Sequence, residues 1–112
     1  SDGFLIEFNP LRINVKTREV TINDLPIHLT NREFDILRLL CETPNVIVPF
    51  QRIYSHVWGD DTNCDNHLVM VNISYLRKKM EKVAPDITFI KTEWGLGYSF
   101  AYPPIRNSVS LK

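Results

Sequence analysis

Asp65–Lys82, DNHLVMVNISYLRKKMEK, decides how the rest of the chain is read. Val69, Ile73, Leu76 and Met80 recur at spacings of 4, 3 and 4, the seam of an amphipathic helix. His67, Val71, Ser74, Tyr75 and Lys78 fall on the opposite face, flanked by Asn72, Arg77 and Lys79. A solvated helix face ordinarily mixes carboxylates with its cations, yet none occurs here before Glu81. Short polar groups, an aromatic ring and cations without anions suit a surface that meets phosphates and base edges. An ordinary surface helix with a cation-rich C-terminus carries some of the same features. The helix alone leaves both readings open, and its neighbours must decide between them.

Upstream, Ile53, Tyr54, Val57 and Trp58 mark a second helix from Phe50 or Gln51 to Trp58, stopped by Gly59. A polar loop, GDDTNCD, links the two, and Asp65 or Asn66 can cap the helix that follows. Two helices joined this way, the second with a cation-rich outer face, have the layout of a helix-turn-helix reader. After Pro85-Asp86 the period falls to 2. Ile87–Lys91 and Leu96–Ala101 read as strands joined by Thr92-Glu93-Trp94-Gly95, a hairpin placed as a wing beside the reading helix. Gly97 predicts a bulge or a close backbone approach. Residues 102–112, with Pro103-Pro104 and no period, read as a frayed tail.

At the other end, Ser1-Asp2-Gly3 reads as a linker remnant, and residues 4–101 as one domain. Four short apolar runs follow: Phe4–Phe8, Leu11–Val15, Arg18–Ile22 and Leu25–Leu29. The breaks at Asn9-Pro10, Lys16-Thr17 and Asn23-Asp24 predict hairpins and a four-stranded antiparallel meander with one apolar face. On that face lie Leu11, Ile13 and Val15, then Val20 and Ile22, then Leu25, Ile27 and Leu29. Pro26 removes a ladder donor, so its strand belongs at an edge. Thr30-Asn31-Arg32-Glu33 spells a capping box, with Leu29 and Phe34 at the hydrophobic-staple positions. The helix it opens carries Phe34, Leu37, Leu40 and Cys41, widened by Ile36 and Leu39, and covers the sheet. Val46–Val48 is a short extended stretch. The fold class is α+β: sheet, three helices, hairpin wing.

The 112 residues hold one core, and their formal net charge is zero. Its distribution is uneven. Residues 1–65 carry 6 Lys/Arg against 10 Asp/Glu, whereas residues 66–112 carry 7 against 3, so positive charge gathers around the key helix. Cys41 and Cys64 have no metal-ligand spacing and are expected as free thiols in a reducing cytosol. No cofactor, metal site, catalytic arrangement or membrane association is expected.

The ordered motifs carry a specific resemblance. Leu29-Thr30-x-x-Glu33-Phe34-x-x-Leu37-x-x-Leu40 is similar to LTxxEFxxLxxL of the OmpR/PhoB family of bacterial response regulators. Ile53-x-x-x-Val57-Trp58-Gly59 resembles that family's second-helix ending. Val69-x-Val71-x-Ile73-x-x-Leu76-Arg77-x-Lys79-Met80 resembles VxVxIxxLRxKL, and Gly95-x-Gly97-Tyr98 resembles the wing's GxGY. The likeness covers residues 4–101 and implies a winged-helix effector domain that regulates transcription in a two-component phosphorelay. The resemblance implies that two copies bind direct repeats in promoter DNA. A receiver domain outside this chain would answer to a sensor histidine kinase. It further implies DNA contacts by His67, Val71, Asn72, Tyr75 and Arg77, and wing contacts by Thr92 and Trp94. Ser74, Lys78 and Lys79 join them from the helix-face reading. Trp58 matches a tryptophan that can meet the DNA backbone, and Gly59, Asp60, Asp61, Thr62, Asn63 and Cys64 a loop that can touch RNA polymerase. His67, Tyr75 and Trp94 stand where arginine is frequent in the family, and Met70 where aspartate is. The missing cations should weaken nonspecific affinity and its salt dependence. A winged helix used for protein docking without DNA is the alternative that the neutral net charge favours.

Overall fold

The computed structural model describes residues 3–60 and 62–107. Four strands come first: β1 (Leu5–Phe8), β2 (Leu11–Asn14), β3 (Glu19–Ile22) and β4 (Leu25–Ile27). They form an antiparallel meander in sequence order, with Pro26 on the edge strand β4, where its missing N–H costs no interior ladder bond. Leu11, Ile13, Val20 and Ile22 are fully buried on one face, as their alternation predicts. Ile27 and Leu29 pack against this core, whereas Leu25, expected with them, lies half exposed beside the turn.

The turns follow local chemistry. Asn23 and Asp24 both adopt positive φ, 54° and 66°, the geometry of a two-residue hairpin turn that twists with its strands. The preceding link is longer than the two-residue break expected there. Asn14 closes β2, and its side-chain oxygen accepts from the N–H groups of Lys16 and Thr17, both at 3.0 Å. Arg18, at φ 65°, turns the chain into β3. The asparagine side chain offers the backbone a local partner, so Val15 leaves the strand.

Helix α1 (Asn31–Glu42) begins at the capping box. Thr30 Oγ1 accepts from Glu33 N at 3.1 Å, and Glu33 Oε1 accepts from Thr30 N at 2.9 Å. Phe34, Ile36, Leu37, Leu39, Leu40 and Cys41 are buried on the face this start aims inward. A short strand β5 (Val48–Pro49) leads into α2 (Phe50–Trp58), which ends on Gly59 at φ 74°. Helix α3 (Asn66–Val83) follows, then β6 (Ile87–Glu93) and β7 (Gly97–Arg106).

The wing is larger than the expected hairpin. Strand β5 pairs with β7, giving a three-stranded sheet in the order β5-β7-β6. Gly97 makes this possible: a Cβ there would collide with the Val48 carbonyl oxygen and stand 2.9 Å from Pro49 Cα. The close approach is therefore real, and the register shift lies elsewhere, between Thr88 and Ile90. The expected frayed tail also needs correction. Strand β7 runs through Pro103-Pro104 to Arg106, pairing Ile105 with Thr88 and Arg106 with Ile87. Asn45 fastens it, donating from Nδ2 to the Tyr102 carbonyl at 2.6 Å and accepting from Tyr102 N at 3.0 Å. This pairing partner lies 57 residues away, so local periodicity carries no sign of it. Residues 108–112 lie outside the described residues. One apolar cluster unites sheet, helices and wing, from Leu11 to Phe100.

Candidate nucleic-acid interface

Asp65 caps α3, accepting from His67 N at 3.0 Å and Leu68 N at 3.2 Å. The stripe of Val69, Ile73, Leu76 and Met80 is buried, each at most 3% exposed. Burying that edge fixes the helix's rotation, so the other side must face solvent. His67, Ser74, Tyr75 and Lys78 are exposed there, and Val71 and Asn72 are half-buried beside them. Neither Val71, Tyr75 nor Lys78 turns into the core. Asn72 spends one amide hydrogen on the Leu68 carbonyl one turn back, at 2.9 Å, and keeps its side-chain oxygen for an external donor.

Arg77 and Lys79, both expected as DNA contacts, have partners within the fold. Arg77 Nη2 donates to the Ile90 carbonyl at 2.9 Å and to Thr92 Oγ1 at 2.7 Å, with its guanidinium over the Tyr98 ring at 5.4 Å. This side chain braces helix against wing, and its burial pulls its pKa down from the ordinary arginine value. Thr92, expected as a wing contact, has its hydroxyl engaged as acceptor in the same brace. Lys79 Nζ reaches Glu33 Oε1 at 2.6 Å, a carboxylate 3% exposed. Lys79 therefore points toward α1, with its side chain still 37% exposed. Glu33 is legible in the sequence as a capping residue, but its second duty as anchor for α3 is not, since 46 residues separate the pair. Lys78 remains the outward cation in the middle of α3, with no ion pair among the described residues.

The wing tip stands beside this face. Glu93 and Gly97 close β6 and β7 around a turn in which Leu96 N donates to the Glu93 carbonyl at 2.9 Å and Gly95 takes φ 78°. Trp94 crowns it, 87% exposed. Between tip and helix runs a groove lined by Met70, Ser74, Arg77, Lys78, Thr92 and Trp94, with Tyr98 and the Glu81 carboxylate also on its wall. The half-exposed Met70 enters the site in this way. It is absent from the expected contacts, although it shares the helix flank of Ser74, four residues on.

The loop before α3 is built on Asp60. Its carboxylate accepts from Thr62 N and Thr62 Oγ1, both at 2.8 Å, and from Asn63 N at 3.3 Å. Those bonds, led by the Thr62 N–H, hold its pKa below the usual carboxylate range. Thr62 and Asn63 are exposed, Cys64 Sγ donates to Asn66 Oδ1 at 3.0 Å, and Asp61 lies outside the described residues. Trp58 is half-buried. Its ring lies parallel to Tyr54 at 5.1 Å, with the Arg32 guanidinium over it at 5.1 Å. Its Nε1 is buried without an acceptor among the described residues, so the indole N–H cannot reach a DNA backbone from here.

Known proteins place this arrangement. Residues 24–100 match the family described as transcriptional regulatory protein, C terminal. The chain is similar to the regulatory protein VanR of Enterococcus faecium, 38% identical over 95 residues, covering 84% of this chain and 41% of the relative. It thus spans about two fifths of the length of the curated relatives it matches. Its fold is similar to the Klebsiella pneumoniae RstA DNA-binding domain, crystallised in complex with the RstA box, at TM-score 0.77 and 30% identity over 87% of this chain and 96% of that one. It is also similar to the Thermotoga maritima OmpR/PhoB homologue DrrB, at TM-score 0.76 and 31% identity over 88% of this chain and 44% of that one. Among the described residues no helix is long and apolar enough to cross a membrane. Matched motifs, the winged helix-turn-helix and these relatives agree, and the chain belongs to the OmpR/PhoB-type DNA-binding domains of transcriptional response regulators.

Proposed function

We propose that this chain binds double-stranded promoter DNA in a sequence-dependent way, with α3 in the major groove and the β6–β7 tip at the minor groove. One observation carries the reading: α3 is clamped by its aliphatic edge, so His67, Val71, Asn72, Ser74, Tyr75 and Lys78 stand outward next to a projecting wing. A helix of this width fits the major groove, where each base pair shows a distinct pattern of donors, acceptors and methyls. His67, Asn72 and Ser74 offer hydrogen bonds, Val71 and Tyr75 apolar contact with thymine methyls, and Lys78 a phosphate contact. Arg77, Lys79 and Thr92 serve by fixing α3 against wing and first helix.

The family likeness supports the wider setting. Two copies would sit on direct repeats, and the Gly59–Cys64 loop would face RNA polymerase. A receiver domain in the full-length protein, answering to a sensor histidine kinase in the cytoplasm, would govern occupancy. Selection of bound duplexes from a random pool at modest salt tests the core of this. An enriched site is expected, and His67→Ala or Tyr75→Ala should change which bases are preferred, each lost contact costing about 1–3 kcal/mol at its position. A pool with no enriched sequence would instead support a protein-docking module.

A further inference from the structure

The wing tip lacks the charge that minor-groove reading by electrostatics requires. Its cation, Lys91, pairs with Glu93 at 3.7 Å. In place of charge the tip shows two large apolar side chains, Trp94 at 87% and Leu96 at 57% exposure. An indole held this far into water is stabilised only when a partner covers it. Its platform is tied to the rest of the fold at several points. Thr92 is bound by Arg77, which also holds the Ile90 carbonyl. Glu93 accepts from Ser99 Oγ at 3.3 Å. Gly97 lies in backbone contact with Val48.

An apolar side chain on a rigid projection beside a groove-reading helix is the form of a wedge. Such side chains enter the minor groove, pry apart adjacent stacked base pairs and kink the duplex toward the major groove. Resting on the DNA-binding reading above, we propose that Trp94 is an intercalating wedge that selects a deformable base step next to the site read by α3. Leu96 covers the sugar beside it. The step favoured is pyrimidine–purine, since TA and CA/TG steps unstack most readily. The tip therefore contributes sequence preference through DNA deformability, without hydrogen bonds to bases.

The test uses the full chain and the duplex enriched from the random pool, end-labelled for energy transfer. Expected at saturation are quenching of the exposed indole and a bend of about 20° or more. Both should vanish in Trp94→Ala, with affinity falling about tenfold. Trp58, stacked on Tyr54 and half-buried, gives the signal that remains in Trp94→Ala, which is subtracted from the wild-type trace. Trp94→Arg should recover affinity without the bend and steepen the salt slope by about one unit. Replacing the facing step with an A-tract should weaken wild-type protein more than Trp94→Ala. Tight binding with unquenched indole, an unbent duplex, or a bend that survives Trp94→Ala would each overturn the wedge while leaving α3 as a DNA reader. Failure to enrich any duplex would overturn both.

Discussion

Arg77 shows how one side chain can hold a role that its charge alone does not suggest. On a helical wheel it is a cation next to the reading face. In the fold its guanidinium serves the Ile90 carbonyl, the Thr92 hydroxyl and the Tyr98 ring. Both hydrogen bonds leave one nitrogen, Nη2, so Arg77→Ala removes them together. That variant should lower unfolding free energy by about 2 kcal/mol in urea titrations, a readout a free phosphate contact would not move. The two cysteines divide in a similar way. Burial pushes the Cys41 thiol far above the ordinary value of 9.0. Partial desolvation, then the Asp65 charge, raises Cys64 less. Alkylation of folded protein should mark Cys64 alone, with Cys41 labelled only on unfolding. Because Cys41 keeps its proton in the folded state while the unfolded chain releases it, its contribution is complete below pH 9 and lost as pH rises beyond. Denaturant melts should show this alkaline fall, and Cys41→Val should flatten it.

At the scale of elements, helices announce themselves and their joints do not. The capping box at Thr30, the stripe of α3 and the glycine stop after α2 are local signals, and each boundary falls within a residue or two of its expectation. The contacts that orient one element on another join residues far apart. Glu33 caps α1 and holds Lys79 of α3; Asn45 holds Tyr102; Gly97 admits Val48. Period and propensity are properties of neighbours along the chain, so they carry no trace of these pairs. The candidate site is only partly legible for the same reason. His67, Ser74, Tyr75 and Lys78 follow from the wheel, whereas the inward turn of Arg77 and Lys79 depends on what packs beside them. Lys79→Met should leave the Glu33 carboxylate buried with one donor and cost about 2–3 kcal/mol in thermal or urea unfolding. Gly97→Ala should cost about 3 kcal/mol by forcing β5 away from β7.

For the whole molecule, the balance of charge bears on how tightly it can hold any duplex. With Arg77 and Lys79 internally engaged, few cations remain to displace counterions near α3. The logarithm of affinity should fall with the logarithm of salt at a slope of magnitude about 3 or less per copy, measured on the enriched duplex. Specificity must then come from shape and apolar fit more than from attraction. The brace at Arg77 has a mechanical consequence as well. With Arg77 tying α3 to the wing, the domain would act on a duplex as a calliper with its jaws set. The span between its two points of contact is constant, and any mismatch must be absorbed by the winding of the duplex. Occupancy should therefore respond to torsional stress in the promoter, rising or falling with superhelical density even where every base pair is unchanged.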